Sequence, residues 1–271
     1  MSGAKSAAQR RPAVLLSFDA EEFDLPLEFG RALPEADQFA IARQGWDRVV
    51  ALVDELAVPT TFFTTVRFAE SATDAVRSLL PIHEFASHGW KHTGWDHGDA
   101  LLSRVRLGEL RGAEVTGFRA PRFRALPDAT LLDAGYRYDS SLNPSWMPGR
   151  YCNLRAPRRP FIRNGLVVIP AAVSPRLRVP LFWLSFKRLP LPLYLRMARA
   201  ALRRTGYLSL VLHPWEFADL PSGVAPKWII RPHGVAHVAR LRRLLEALRP
   251  HARFATHATA AAETLTLPTA G

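Results

Sequence analysis

The chain has 271 residues, 48% of them hydrophobic, enough for one domain of α/β-barrel size. A single cysteine, Cys152, excludes an internal disulfide, fits a reducing compartment and reads as a small, inert hydrophobe. The formal charge of +12 admits an anionic surface as partner, but no aromatic RNA-binding signature or zinc-finger spacing accompanies it, which argues against nucleic acid.

Residues 1–11 read as a basic tail. Residues 13–18, AVLLSF, form a continuous apolar run of the kind found in buried parallel strands. The run is too short for a signal-peptide core and leads straight into acidic residues, so a cytoplasmic chain is expected. The next residues are DAEEFD, Asp19 to Asp24, placed where a strand ends and α/β folds build their sites. If the strand continues, Asp19 and Glu21 leave one face and Ala20 the other.

A helix is predicted over 38–57, a second strand over 60–66, a short helix from a Ser71 cap to about residue 80, and a third strand over 82–86. The order βαβαβ implies a parallel sheet or barrel. SHGWKH follows, with His88 and His92 four residues apart. On an extended strand they would lie roughly 13 Å apart, beyond the reach of one ion. The segment must therefore curl into a turn or short helix, where two neutral imidazoles make a transition-metal chelate. Either Glu21 or Glu22, delivered to the same edge, completes a two-histidine, one-carboxylate set.

An amphipathic stretch covers 99–111, and GFRAPRF then holds Arg119 beside a rigid proline. Residues 127–134 read as helix, and 136–141 as a strand and polar turn carrying Asp139. Residues 143–192 form an insertion rich in proline and arginine, with one clear strand over 166–170. Within and beyond it, 177–197 mixes Leu, Phe and Trp with cations and prolines. It is too interrupted to span a bilayer. It suits an anionic membrane surface, a cleft for a hydrophobic substrate tail, or a plain apolar cap. A helix over 193–205 and a strand over 207–212 deliver His213 to the predicted edge. In the last helix, 235–248, His233 and His237 repeat the four-residue spacing with no carboxylate nearby, and read as a solvated helix face. His83, His97, His251 and His257 are expected only to pack or be solvated. Residues 259–271 read as a polar tail.

Taken together, SFDAEE, SHGWKH, RAPRF, YDSS and LHPW resemble, in order, the five motifs of the polysaccharide deacetylases of carbohydrate esterase family 4, a resemblance that covers about 14–254. The resemblance implies a single distorted (β/α) barrel over 12–258 and a divalent metal, usually zinc, held by two histidines and one carboxylate. It makes His88 and His92 ligands, Asp19 the catalytic base, Arg119 the partner of that base, His213 the general acid and Asp139 a supporting acid. The family's usual second aspartate is Ala20 here. Some relatives place the carboxylate one residue later, which points to Glu21, with Glu22 in reserve. The usual serine or threonine after the first histidine is Gly89. The implied reaction removes an N-acyl group, foremost N-acetyl, from an amino sugar of a glycan; the expected cytoplasmic location and the 177–197 segment favour a lipid-linked or nucleotide-linked precursor, met in the cytoplasm or peripherally at the inner face of the membrane. A deformylase of a lipid-linked amino sugar and a non-catalytic glycan- or membrane-binding module are the alternatives.

Overall fold

The computed structural model describes residues 11–94, 96 and 98–266. Its central strand, β1 (Ala13–Ala20), is buried along its whole length. Side chains alternate across it: Val14, Leu16, Phe18 and Ala20 join the larger core beneath the helices, while Ala13 and Leu15 join a second core on the opposite face. Ser17 and Asp19 share the parity of Leu15, so this second face brings the polar residues of β1 inward.

Parallel pairing continues through β2 (Thr60–Thr64), β3 (Glu84–Ser87), β4 (Gly117–Phe118) and β5 (Tyr138–Asp139). β6 (Trp146–Met147) and β7 (Tyr151–Cys152) make a separate antiparallel hairpin. β8 (Phe161–Arg163) folds back on β9 (Leu166–Val168), which extends the sheet beside β5. β10 (Tyr207–Leu212) returns to lie parallel to β1, and β11 (Arg253–Phe254) also pairs with β1. The sheet order β10-β1-β2-β3-β4-β5-β9-β8 describes a curled half-barrel. Chain that follows β9 crosses its open side, where Ala172 N–H donates to Ser209 O of β10 and Phe182 bridges Val211. The expected single distorted barrel is the fold observed.

The helices are α1 (Glu35–Glu55), α2 (Val66–Ser71), α3 (Thr73–Ser78), α4 (Asp99–Arg111), α5 (Asp128–Asp133), α6 (Trp183–Arg188), α7 (Leu191–Thr205), α8 (Lys227–Ile230), α9 (Gly234–Leu248) and α10 (His257–Leu265). None is long and apolar enough to cross a membrane among the described residues.

Four expectations are corrected. Ser71 starts no helix: Thr65 caps α2 by accepting from Phe68 N–H, and the Ser71 hydroxyl donates to Phe68 O at the helix's end. Residues 259–265, expected as tail, are the body of α10, with Ala260 and Ala261 in the second core. His237 is fully buried, because α9 presents it in one stripe with Leu241, Leu244, Leu245 and Leu248, and Glu216 lies against it. Cys152 is exposed on β7. Residues 1–10 and 267–271, parts of the expected tails, lie outside the described residues, as does His97.

Candidate active site

The carboxyl ends of five parallel strands meet at one mouth, and the register of β1 on β10, Phe18 against Leu212, sets Asp19 beside His213. From β4, Arg119 reaches back beneath this mouth. The guanidinium is fully buried, donates to Asp19 Oδ1 at 2.5 Å, Ser17 Oγ at 2.9 Å and Ser140 Oγ at 3.0 Å, and lies 3.9 Å over the Phe63 ring. It also donates to His257 Nε2 at 3.3 Å. Burial pushes the Asp19 carboxyl up, but Arg119, then His88 and His213, outweigh it and hold the group below its ordinary value. Asp19 is thus a buried carboxylate kept ionised.

Glu21 and Glu22 diverge in their contacts. Glu21 Oε2 lies 3.1 Å from His88 Nε2 and 3.5 Å from His92 Nε2. Glu22 turns away, accepting from Thr65 Oγ1 at 2.9 Å and from the His92 backbone N–H at 3.0 Å. The histidines sit on a turn rather than a helix, with rings stacked at 6.3 Å. Gly89 has φ +77°, backbone that an L side chain rarely adopts, and this twist presents Gly89 O and Trp90 O to the first N–H groups of α2.

His88 Nδ1 lies 2.8 Å from Arg119 O, which can only accept, so Nδ1 carries the hydrogen and Nε2 of the neutral ring keeps its lone pair. His92 Nδ1 is held likewise by Asp24 Oδ1 at 2.7 Å. With both rings neutral, two Nε2 lone pairs face one carboxylate, an arrangement that suits a cation, whether a metal ion or a proton. Burial pushes the His92 imidazole down, yet Glu21 and Asp24 overcome this and carry it up to about 9, the mark of a place that attracts positive charge. As the side chains stand, no group of three or more His, Cys, Asp or Glu among the described residues is drawn in around an ion position. The donor spacings of 3.1 and 3.5 Å nonetheless match the edge of about 3.4 Å that bonds of about 2.1 Å give a tetrahedron. In donor chemistry, two imidazoles and a carboxylate, the set would suit a divalent metal of the zinc type, with Asp24 and Arg119 O orienting the rings from behind.

Across the cleft, His213 Nε2 stands 3.9 Å from Glu21 Oε1. The ring stacks on Trp215, centroids 5.1 Å apart, and meets Trp183 edge-on. Glu216 Oε1 accepts from the His213 backbone N–H at 2.8 Å and lies 3.3 Å from Nδ1. Burial lowers the His213 imidazole, but Glu216 first and then Glu21 bring it above its ordinary value. The cleft, about 280 Å³, exposes Asp19, Glu21, His88, His92 and His213 against Phe29, Phe123, Tyr151 and Trp183.

Six of the seven residues singled out by the sequence thus converge. Asp139 does not: its carboxylate accepts from Ser141 N–H and Oγ–H, lines a neighbouring cavity and hydrogen-bonds to none of the six. Through Ser141, whose Oγ accepts from Ala120 N–H, it braces the segment that follows Arg119. Sequence reasoning missed Asp24, Glu216 and His257. The first two were visible as acids flanking the motifs; nothing marked His257.

The parallel half-barrel thus gathers carboxylates and imidazoles at its strand ends. No family model and no curated protein matches the sequence. Solved structures do. A protein described as a polysaccharide deacetylase from Mycobacterium smegmatis superposes with TM-score 0.64 at 20% identity, covering 98% of this chain and 94% of that one. One so described from Pseudomonas aeruginosa PAO1 gives 0.63 at 18%, with 92% and 89% covered, and PuuE allantoinase gives 0.62 at 18%, with 96% and 93% covered. The chain has the polysaccharide deacetylase fold of carbohydrate esterase family 4.

Proposed function

We propose that the protein is a metal-dependent hydrolase that removes an N-acyl group, foremost N-acetyl, from an amino sugar of a glycan or of a lipid- or nucleotide-linked precursor. The observation that carries this is the gathering of an ionised buried carboxylate, Asp19, and an imidazole, His213, against the Glu21, His88 and His92 donors. Glu21, His88 and His92 would hold the ion, which when bound supplies Lewis-acid polarisation of the amide carbonyl and a water of lowered pKa.

The chain's own groups do the rest. Asp19 takes the proton of the attacking water, and Arg119 keeps its carboxylate ionised between turnovers. Once water has added and the new C–O bond is made, His213, made basic enough by Glu216 to carry a proton, delivers it to the nitrogen as the C–N bond breaks, so that the amine departs neutral. Trp183 and Trp215 fix the plane of His213 and narrow the cleft around the sugar. Replacing His88 or His92 by Ala is expected to abolish bound zinc, measured by mass spectrometry of metal content, and acetate release from N-acetylglucosamine oligomers. Full zinc in His88→Ala would overturn the reading. Formate release from an N-formyl sugar in place of acetate would favour the deformylase, which the same residues serve.

A further inference from the structure

The largest cavity, about 1140 Å³, lies away from the catalytic cleft. Its lining combines aliphatic Leu177, Val179, Leu189, Leu193, Met197 and Ala200 with Arg176, Arg196, Arg203 and Arg204. Two smaller grooves adjoin it through Arg196, Arg203 and Arg204, and no acidic residue lines any of the three. Leu177 is 82% exposed and Leu193 44% exposed. The sequence carries the same asymmetry: thirteen of the 36 Lys and Arg, and none of the 24 Asp and Glu, fall within residues 140–215. The remaining 23 cations and 24 acids nearly cancel, so the whole excess of positive charge belongs to this stretch.

Elsewhere, several surface arginines are paired: Arg43 with Asp74, Arg48 with Asp219, Arg106 with Glu70, Arg242 with Glu55. Among the described residues, the side chains of Arg176, Arg196, Arg203 and Arg204 form no ion pair and no hydrogen bond. Unpaired arginines around exposed leucines are complementary to a surface that is anionic outside and apolar just beneath. A soluble polyanion would leave the leucines without a partner, and a nucleic acid would call for aromatic stacking platforms, which the groove lacks.

We propose that this face docks the protein on an anionic lipid bilayer, the arginines at the lipid phosphates and Leu177 and Leu193 in the acyl boundary. The same chain segment serves both sites: Val179 lines the groove and Phe182 the catalytic cleft, three residues or at most about 11 Å further on. Docking therefore brings the bilayer within reach of the cleft, whatever the cleft hydrolyses.

The test is co-sedimentation of the full chain with phosphatidylcholine vesicles, alone or with one third phosphatidylglycerol. Binding is expected to the anionic vesicles only and to weaken as salt is raised. Each arginine contributes about fivefold, so Arg196→Gln, Arg203→Gln and Arg204→Gln together weaken binding roughly a hundredfold. Leu177→Asn with Leu193→Asn weakens it about tenfold or more. Equal binding to neutral and anionic vesicles, or unchanged binding of the arginine variant, overturns the proposal. So does a leucine variant that binds as wild type while soluble polyphosphate displaces both, since the face would then read polyanions. Thermal melting, rather than turnover, verifies folding of each variant, so the outcome is separable from that of the hydrolase assignment.

Discussion

Glu21 and Glu22 are chemically identical neighbours, and the chain separates them by direction alone. Glu21 keeps the parity of Ser17 and Asp19 and meets the imidazoles, while Glu22 meets Thr65 and the His92 backbone. Glu21→Gln is therefore expected to abolish tight zinc binding, because an amide brings no charge to the donor set. Glu22→Gln keeps the donors and loosens the turn behind His92, which lowers affinity about 10- to 100-fold. Zinc titration of the two variants against a chelating dye decides between them; equal losses would mean the glutamates share one duty. Asp19→Asn is expected to keep zinc and lose about 10² to 10⁴ in turnover, the range of a general base. Loss of zinc instead would show that base and ligand have been exchanged. The carboxylates and histidines were legible in the sequence because a catalytic group must follow a strand, and buried strands declare themselves as apolar runs. Which of two adjacent acids faces inward depended on how far β1 extends, and only the structure fixes that.

The long strands and helices were readable for the same reason, β1, β2, β10, α4 and α9 lying close to their expected bounds. β4, β5, β6 and β7 are two residues each, too short for any period, and α10 is built of Ala and Thr with little contrast between its faces. Both kinds of element nonetheless hold the site. At Gly45 of α1 an added Cβ would stand 1.9 Å from Pro214 O, so this helix seats the turn that carries His213. Gly45→Ala must push that turn away, and is expected to destabilise by about 1–3 kcal/mol and to lower kcat more than zinc content. Unchanged turnover would show that the turn's position is not critical. At the start of α10, His257 is fully buried between Arg119, Ser209, Thr61 and Phe63. Burial first, then repulsion by Arg119, pushes its imidazole well below the ordinary value. The unfolded chain takes up that proton near pH 6.5 and the folded chain does not, so stability falls as pH drops below about 6.5, by up to about 1.4 kcal/mol per unit. His257→Gln, which keeps an acceptor for Arg119, is expected to make the denaturation midpoint less steep with pH between 6.5 and 5 by one proton's worth. Parallel pH profiles for variant and wild type would remove this role.

At the scale of the molecule, the half-barrel and the cationic stretch 140–215 are joined through a buried charge. Lys187 of α6 lies 3.3 Å from Glu216 Oε2, both side chains fully buried, with the ammonium over the Trp215 ring and His237 Nε2 3.4 Å from the same oxygen. Lys187 Nζ and Glu216 Oε2 are close without hydrogen-bond geometry, so the pair acts as opposed charges more than as a directed bond. One carboxylate thus has two tasks, holding the insertion by Oε2 and orienting His213 by Oε1. Lys187→Met leaves Glu216 buried with its charge poorly compensated and is expected to cost about 3–5 kcal/mol. Adding Glu216→Gln removes that charge and should restore most of the lost stability, read as the urea midpoint. Turnover is not expected to return with it, because His213 then lacks the carboxylate that raises its proton affinity. If the double variant regained both stability and wild-type kcat, Glu216 would serve the fold alone and the orientation of His213 would rest on Trp183 and Trp215.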